Sequence, residues 1–195
     1  MRVEQTIELG ESDPKLEIPW AAAEPNRAYF DLRDDPRAIT CIEPAQRHSP
    51  LRAFLVAVNS EDSAFATLRC RVSQPAQDAA TSASGVFSSE IDLAFAETAR
   101  NGSRASFEEL SRRLAELLER EGGGDYLNAR LSIRRCRFAG GPANGHCLSV
   151  LLTAQGETRE QAELRWGLAL ARVQQALLFL SRMLRQKGAG GTHRS

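Results

Sequence analysis

The chain has 195 residues, 42% of them hydrophobic, and its 25 basic residues balance its 25 acidic residues. This apolar content is enough for a hydrophobic core, which excludes a largely disordered chain. The balanced charge gives no global field that would favour nucleic acid or acidic partners. The length predicts a single α+β domain over residues 1–187 and a disordered tail over 188–195.

The charge is spread unevenly along the chain. Residues 1–48 hold 6 basic and 10 acidic groups, whereas residues 130–195 hold 11 basic and 3 acidic groups. We therefore expect the acidic N-terminal segment, which looks irregular, to dock on the basic C-terminal part of the core. A nucleic-acid site in the basic part is the alternative, but no aromatic residues are interleaved with the arginines, so we expect no nucleic-acid partner.

The first residues are charged where the apolar part of a signal peptide would lie. No long apolar run predicts a membrane span. We therefore expect a cytoplasmic protein with no membrane partner. Its four cysteines, Cys41, Cys70, Cys136 and Cys147, are then expected to be thiols, and no C-x-x-C pair predicts a metal site.

The first part of the chain contains short predicted elements. Arg2–Leu9 alternates and is typical of a strand, and Ala28–Leu32 could form another short strand. A short helix is predicted from Pro36, because proline suits the first turn, and Pro44 is expected to stop it. A second helix is predicted from Pro50, with Leu51, Phe54, Leu55 and Val58 on one face.

A hairpin is predicted next, from a strand at Ala64–Ser73 and a return strand at Val86–Ala96. The polar segment 74–85 between them is expected to be a mobile loop. In the first strand, Ala66, Leu68, Cys70 and Val72 are predicted to share one face.

The polar positions of the two strands carry opposite charges. Arg69 and Arg71 are expected to meet Glu90 and Asp92 across the outer face of the hairpin. We prefer this structural interpretation of the two carboxylates to an acid/base pair.

A second unit of the same kind follows. Ser106 and Glu109 match a capping box, which predicts a helix that ends at the glycines 122–124. A strand is predicted at Leu127–Phe138, with a bulge near Arg134-Arg135, because its apolar alternation changes phase there. His146–Ala154 is its predicted partner.

Three residues of this second hairpin could form a reactive group. Across the predicted turn, Cys136 should lie opposite Cys147 or Leu148, and the inward parity of Leu148 and Val150 favours Leu148. Cys136 should then point to the core and Cys147 to the other face, which places them poorly for a disulfide or a shared metal. His146 and Cys147 are neighbours in a strand and should point in opposite directions. We therefore interpret Cys136 as a core residue and His146 as exposed.

The last element is a predicted helix over Thr158–Lys187, with a capping box at Thr158 and Gln161 and a stop at Gly188. One stripe is predicted to face the core, formed by Trp166, Leu170, Val173, Leu177, Leu180 and Leu184. A second apolar set lies on roughly the opposite side: Leu164, Leu168, Ala171 and Leu178. This set is either a buried interface with another helix or subunit, or a group of ordinary exposed apolar residues.

The order strand–strand–helix thus occurs twice, which could reflect a degenerate internal duplication. It predicts a two-layer α+β domain in which a mainly antiparallel sheet, built from the two units, packs against the long C-terminal helix.

The arginines Arg130, Arg134, Arg135 and Arg137 cluster on one predicted strand. They form either a strand face paired with acidic residues of a neighbouring strand, or a site for an anion or an acidic partner at Arg134, Arg135 and Arg137. Both interpretations stay open.

No nucleotide-binding, zinc-protease or serine-hydrolase motif is present, so we predict no catalytic residue, metal or cofactor. The first functional hypothesis is a non-enzymatic interaction or assembly protein that forms a homodimer or binds another protein, through Leu164, Leu168, Ala171 and Leu178. The second is a small-molecule or anion-binding protein, or an enzyme, with a pocket between the sheet and the long helix.

Overall fold

The computed structural model describes residues 1–13, 15–19, 29–73, 85–120, 126–139 and 144–189. The predicted 74–85 loop, apart from Gly85, and residues 190–195 of the predicted tail lie outside the described residues. The strands are β1 (Arg2–Glu8), β2 (Leu16–Ile18), β3 (Phe65–Ser73), β4 (Gly85–Phe95), β5 (Leu127–Phe138) and β6 (Gly145–Gly156). The α-helices are α1 (Glu43–Arg47), α2 (Ser49–Val58), α3 (Arg104–Arg120) and α4 (Arg159–Ala189).

The strands form one sheet in the order β1-β5-β6-β4-β3, and β2 extends the β1 side by pairing with β5. β1 and β2 run parallel to β5, while the other neighbours are antiparallel. The two predicted strand–strand–helix units are β3–β4–α3 and β5–β6–α4, and they meet through β4 and β6. The fold is therefore the predicted α+β architecture, a mostly antiparallel sheet with the long helix α4 packed on it.

Helix α4 begins as the capping box predicts. The backbone N–H of Gln161 donates to Thr158 Oγ1 at 3.2 Å, and Gln161 Oε1 accepts from the backbone N–H of Glu157 at 2.6 Å. The first contact satisfies an N–H group that the first helical turn cannot pair internally, and the second joins the residue before the cap to that turn. The helix continues through Gly188 to Ala189, two residues beyond the predicted end.

The predicted core stripe of α4 lies against the centre of the sheet, on β4 and β6. Five of its members are at most 4% exposed: Trp166, Leu170, Val173, Leu177 and Leu180. Leu184, near the end of the helix, is only partly buried. The long helix is the spine of the core, as its periodicity predicts.

Two glycines allow α4 to approach the sheet closely at its N-terminal end. Gly85 and Gly156 lie opposite each other in the β4–β6 ladder. A Cβ at Gly85 would lie 2.5 Å from the carbonyl oxygen of Thr158, and a Cβ at Gly156 would lie 2.6 Å from the backbone nitrogen of Ala162. Only glycine leaves room for backbone at these distances.

The predicted cross-strand charge contacts of the first hairpin form through Arg69, which lies 2.6 Å from Asp92 and 3.5 Å from Glu90. Arg69 lies opposite Asp92 and Arg71 lies opposite Glu90. The prediction that Ala66, Leu68, Cys70 and Val72 share one face of β3 is wrong, because the β3–β4 register shifts between Thr67 and Arg69. This irregularity places Leu68 in a small apolar cluster on the outer face of the sheet.

The predicted bulge in β5 is absent. The β5–β6 register runs without a shift from Leu127 to Cys136. Cys136 therefore shares the outer face with Arg134, and not the main core as predicted. The apolar alternation of β5 changes phase for another reason: the outer face of the sheet has a second hydrophobic cluster, to which Cys136 belongs. The buried residues of this cluster are Ile18, Leu68, Ala94, Cys136 and Cys147.

Three smaller predictions also need correction. Helix α3 begins at Arg104, and its cap is Ser103, whose Oγ accepts from the backbone N–H of Ser106 at 3.3 Å. No strand forms at residues 29–32. Pro36 opens a 3-10 helix, and Pro44 lies in the first turn of α1 instead of ending a helix.

The acidic N-terminal segment joins the sheet by parallel pairing with β5. Glu4 contacts Arg130 at 3.0 Å, and Glu8 contacts Arg134 at 2.7 Å. These ion pairs join the outer faces of β1 and β5.

Candidate functional site

The second apolar set of α4 faces away from the sheet. Leu164 is 67% exposed and Leu168 is 55% exposed, while Ala171 is also exposed and Leu178 is half-buried. Phe179, beside them, is 49% exposed. Helices α2 and α3 both contact α4 but leave this side uncovered. We call Leu164, Leu168, Ala171 and Leu178 the outward stripe.

The ends of the outward stripe carry opposite charges. Glu157 and Glu160 lie at the N-terminal end of α4, and Arg182 and Arg185 lie near its C-terminal end. Each sign also complements the helix dipole at its own end. The outer side of α4 is thus an apolar band with an acidic end and a basic end.

Arg134, one of the three predicted anion-binding arginines, is held by the outer face of the sheet. Its Nε donates to Glu8 Oε2 at 2.7 Å, and its NH1 donates to Glu90 and to Ser149. Burial acts to lower the pKa of Arg134, but the two carboxylates outweigh it and raise that pKa. Because both acidic partners are internal, Arg134 serves to connect β1, β5 and β4.

Arg135 and Arg137 are not brought together with Arg134. They alternate with it along β5 and so belong to the opposite face. Arg135 lies opposite His146 in the β5–β6 ladder and is half-buried. Arg137 is exposed, with Glu17 of β2 at 3.9 Å. The structure thus splits the predicted anion-binding set between the two faces of the sheet.

Asp92 is a buried carboxyl group that the cross-strand pattern did not distinguish from Glu90. It is 1% exposed, and Arg69 Nε donates to its Oδ2 at 2.6 Å. Its Oδ1 has no hydrogen-bond partner within the part of the chain that the structure describes. Burial raises the pKa of Asp92, and Arg69 opposes that shift.

Glu90, two residues away, has the opposite electrostatic balance. Burial acts to raise its pKa, but Arg134 and Arg69 outweigh this and lower it. Ser149 Oγ also donates to Glu90 at 3.1 Å. Asp92 therefore forms an ion pair with one arginine, whereas Glu90 forms ion pairs with two.

The two cysteines of the second hairpin lie together, contrary to the sequence-based prediction. Cys136 and Cys147 are both on the outer face and are 2% and 0% exposed. A hydrogen bond with Cys136, burial, and nearby Asp92 raise the pKa of the Cys147 thiol. His146 does point away from Cys147, as predicted, but it is half-buried beside Phe107 instead of exposed. A thiol whose pKa is raised, as that of Cys147 is, is a poor nucleophile.

His48, for which the sequence pattern indicates no partner, lies between the helices and the sheet. Its Nδ1 lies 2.7 Å from Glu163 Oε1, and its ring packs edge-on against Phe87 and Trp166. The contact joins the start of α2 to the first turns of α4. No local sequence signal links residues 115 positions apart, so only the fold could reveal it.

The interface between sheet and α4 is filled by large side chains. Trp166, Phe87, Leu170 and Val173 are each at most 1% exposed there. Across the described ranges, no group of three or more His, Cys, Asp or Glu residues could hold a metal ion. Of the helices that the structure describes, none is long and apolar enough to span a bilayer.

Comparison of the chain with protein families, with curated proteins and with solved structures finds no match. The residues and their geometry are therefore the basis for the functional proposal.

Proposed function

We propose that this protein is a non-enzymatic interaction or assembly protein that acts as a homodimer through the outward stripe of α4. The observation that carries the proposal is the exposure of Leu164 and Leu168 on the longest helix of the fold. Four apolar side chains on one side of a helix, at positions 164, 168, 171 and 178, follow the spacing of a helix–helix seam.

A second copy fits this face better than an unrelated partner because the face is complementary to itself. A two-fold axis near the middle of α4 would run the two helices antiparallel, as an isologous interface requires. Leu168 would then face Leu178 of the partner subunit. Glu160 would lie close to the partner's Arg182, so opposite charges would meet at both ends. Ala171, near the axis, is small enough for close approach of the helices.

The alternative, a ligand pocket between the sheet and α4, has less support. Side chains that are almost fully buried occupy that space, whereas a ligand site is normally a cavity lined by a few converging polar groups. Apart from Leu184 near the end of the helix, the half-buried or exposed residues of α4 lie on its other sides.

The test is the double substitution Leu168→Glu and Leu178→Glu, with sedimentation velocity for mass and circular dichroism for fold. We expect a dimeric parent and a folded, monomeric variant, because four new carboxylates would face one another across the seam. The matched control is Ile7→Glu on edge strand β1, where the parent side chain is 51% exposed. This control should stay dimeric.

Two results would contradict the proposal. A parent that sediments as a monomer at high concentration removes the homodimer. A variant that unfolds would show that another segment of the same chain covers the stripe. Capture of a different protein by the parent but not by the variant would instead support a heterologous interface.

A further inference from the structure

Among the described residues, β3 pairs with β4 on one side and with no strand on its other edge, and that edge borders an open groove. A cavity of about 710 Å³ lies between β3 and the segments around residues 29–32 and 41–44. Seven consecutive residues of β3, from Thr67 to Ser73, line it on one side. Tyr29, Phe30, Leu32 and Ile42 line the other side. The groove therefore follows the strand along its length, unlike a compact pocket that touches a few scattered residues.

The start of this edge is closed by side chains of the same chain. Arg33 NH1 donates to the carbonyl oxygen of Phe65 at 3.1 Å, and Asn59 Oδ1 accepts from the backbone N–H of Thr67 at 2.9 Å. Such contacts block strand addition at residues 65–67. The groove continues past them along Arg69–Ser73, where β3 is the last strand of the sheet.

The two sides of this edge differ in chemistry. Arg69 and Arg71 project to the outer face, in line with Asp92 and Glu90. Cys70 and Val72 alternate with them and pack against the main core. Arg71 is exposed and has no ion pair among the residues that the structure describes. A strand added here would place acidic residues beside the arginines and apolar residues beside Cys70 and Val72.

Strand β5, the outer strand of the second hairpin, shows which kind of segment pairs with an arginine-bearing strand in this sheet. β5 also carries arginines on the outer face, and β1 lies along it with Glu4 beside Arg130 and Glu8 beside Arg134. On the helix side of β1, Val3 packs against the main core. Within this fold, an arginine-bearing strand is therefore already paired with a strand that has acidic residues on one face and apolar residues on the other.

From these observations we propose that the β3 edge binds an extended peptide from another protein, which adds as a strand along Arg69–Ser73. The peptide alternates acidic residues, placed beside Arg69 and Arg71, with apolar residues that enter the groove toward Leu32 and Ile42. Backbone hydrogen bonds to the strand edge provide affinity, and the alternation provides selectivity. This site is separate from the outward stripe of α4 and does not depend on the proposed homodimer.

The binding test uses a fluorescein-labelled hexapeptide, Glu-Ile-Glu-Val-Glu-Thr, followed by fluorescence anisotropy with the full chain. A peptide with lysine in place of glutamate is its control. We expect the acidic peptide to bind and Arg71→Glu to weaken it by more than about tenfold, because like charges would face each other. Arg120→Glu, an exposed arginine at the end of α3, should bind like the parent. If Arg71→Glu fails to fold by circular dichroism, Arg71→Ala replaces it, with a smaller loss expected.

Amide hydrogen exchange then separates strand addition from simple charge attraction. Strand addition protects backbone amides within 69–73, whereas contact through side chains alone leaves their exchange unchanged. The proposal is overturned if the acidic peptide does not bind at about 1 mM, if Arg71→Glu binds as well as the parent, or if binding occurs without protection. A small carboxylate such as octanoate that competes fully with the peptide would assign the groove to small molecules instead.

Discussion

Trp166 and Ser89 join the long helix to the centre of the sheet. The indole Nε1–H of Trp166 donates to Ser89 Oγ across 2.8 Å, and the two residues are 0% and 1% exposed. Ser89 lies on the helix-facing side of β4, between Phe87 and Ile91. A polar pair within this apolar layer is stable only because each group satisfies the other.

Substitution of Ser89 by Ala tests this relationship. The change leaves the indole N–H buried without an acceptor, so we expect a loss of about 1–3 kcal/mol in the free energy of unfolding. In a Trp166→Phe background the donor is gone, and the same serine substitution should cost less. Chemical denaturation of the four proteins gives the coupling energy, and strictly additive losses would show that the hydrogen bond contributes nothing.

The two sides of α4 should respond differently to truncation. Leu177 is 0% exposed against the sheet, so Leu177→Ala should lower the free energy of unfolding by about 2–5 kcal/mol through lost burial and a new cavity. Leu164 is 67% exposed, and Leu164→Ala should change the stability of the isolated subunit by no more than about 0.5 kcal/mol. Urea unfolding at low protein concentration compares the two, and equal losses would contradict the assignment of faces.

The glycine pair at the start of α4 should not tolerate a side chain. Gly156→Ala would place a methyl group 2.6 Å from the backbone of Ala162, and we expect a loss of about 1–3 kcal/mol as the helix is pushed from the sheet. Gly102→Ala is the control, since nothing lies within 4 Å of a Cβ there. Thermal unfolding should separate the two variants clearly, and similar midpoints would exclude the close approach.

Glu90 and Asp92 should contribute to stability with opposite dependence on pH. The folded pKa of Glu90 is lowered from 4.5, so its contribution is present above that value and is lost as the pH falls through the folded pKa. The folded pKa of Asp92 is raised from 3.8, so its contribution is present below that value and is lost as the pH rises through the folded pKa.

The measurement compares the parent with Glu90→Gln and with Asp92→Asn, which do not titrate at these positions. The stability advantage of the parent over Glu90→Gln should grow as the pH rises through the acid range. Its advantage over Asp92→Asn should shrink as the pH rises from about 3.8. Parallel curves for the two variants would mean that the surroundings of the two carboxyl groups are alike.

The sequence alone predicted the features that depend on local chemistry. The capping box at Thr158 and the apolar period of α4 identify the long helix and its core stripe, because both signals repeat within a few residues. The alternation of charged and apolar residues in the first hairpin likewise predicted that Arg69 and Arg71 lie opposite acidic residues of the return strand. The α+β architecture followed from the order of these elements.

The tertiary structure alone decided which distant residues meet. The phase change in β5 looked like a bulge, but a strand buried on both faces has no single apolar side, so Cys136 lies outside the main core. Parallel pairing of β1 with β5 and the contact of His48 with Glu163 join residues more than 100 positions apart. Such contacts are set by how the helices and strands pack against one another, which no short stretch of sequence records.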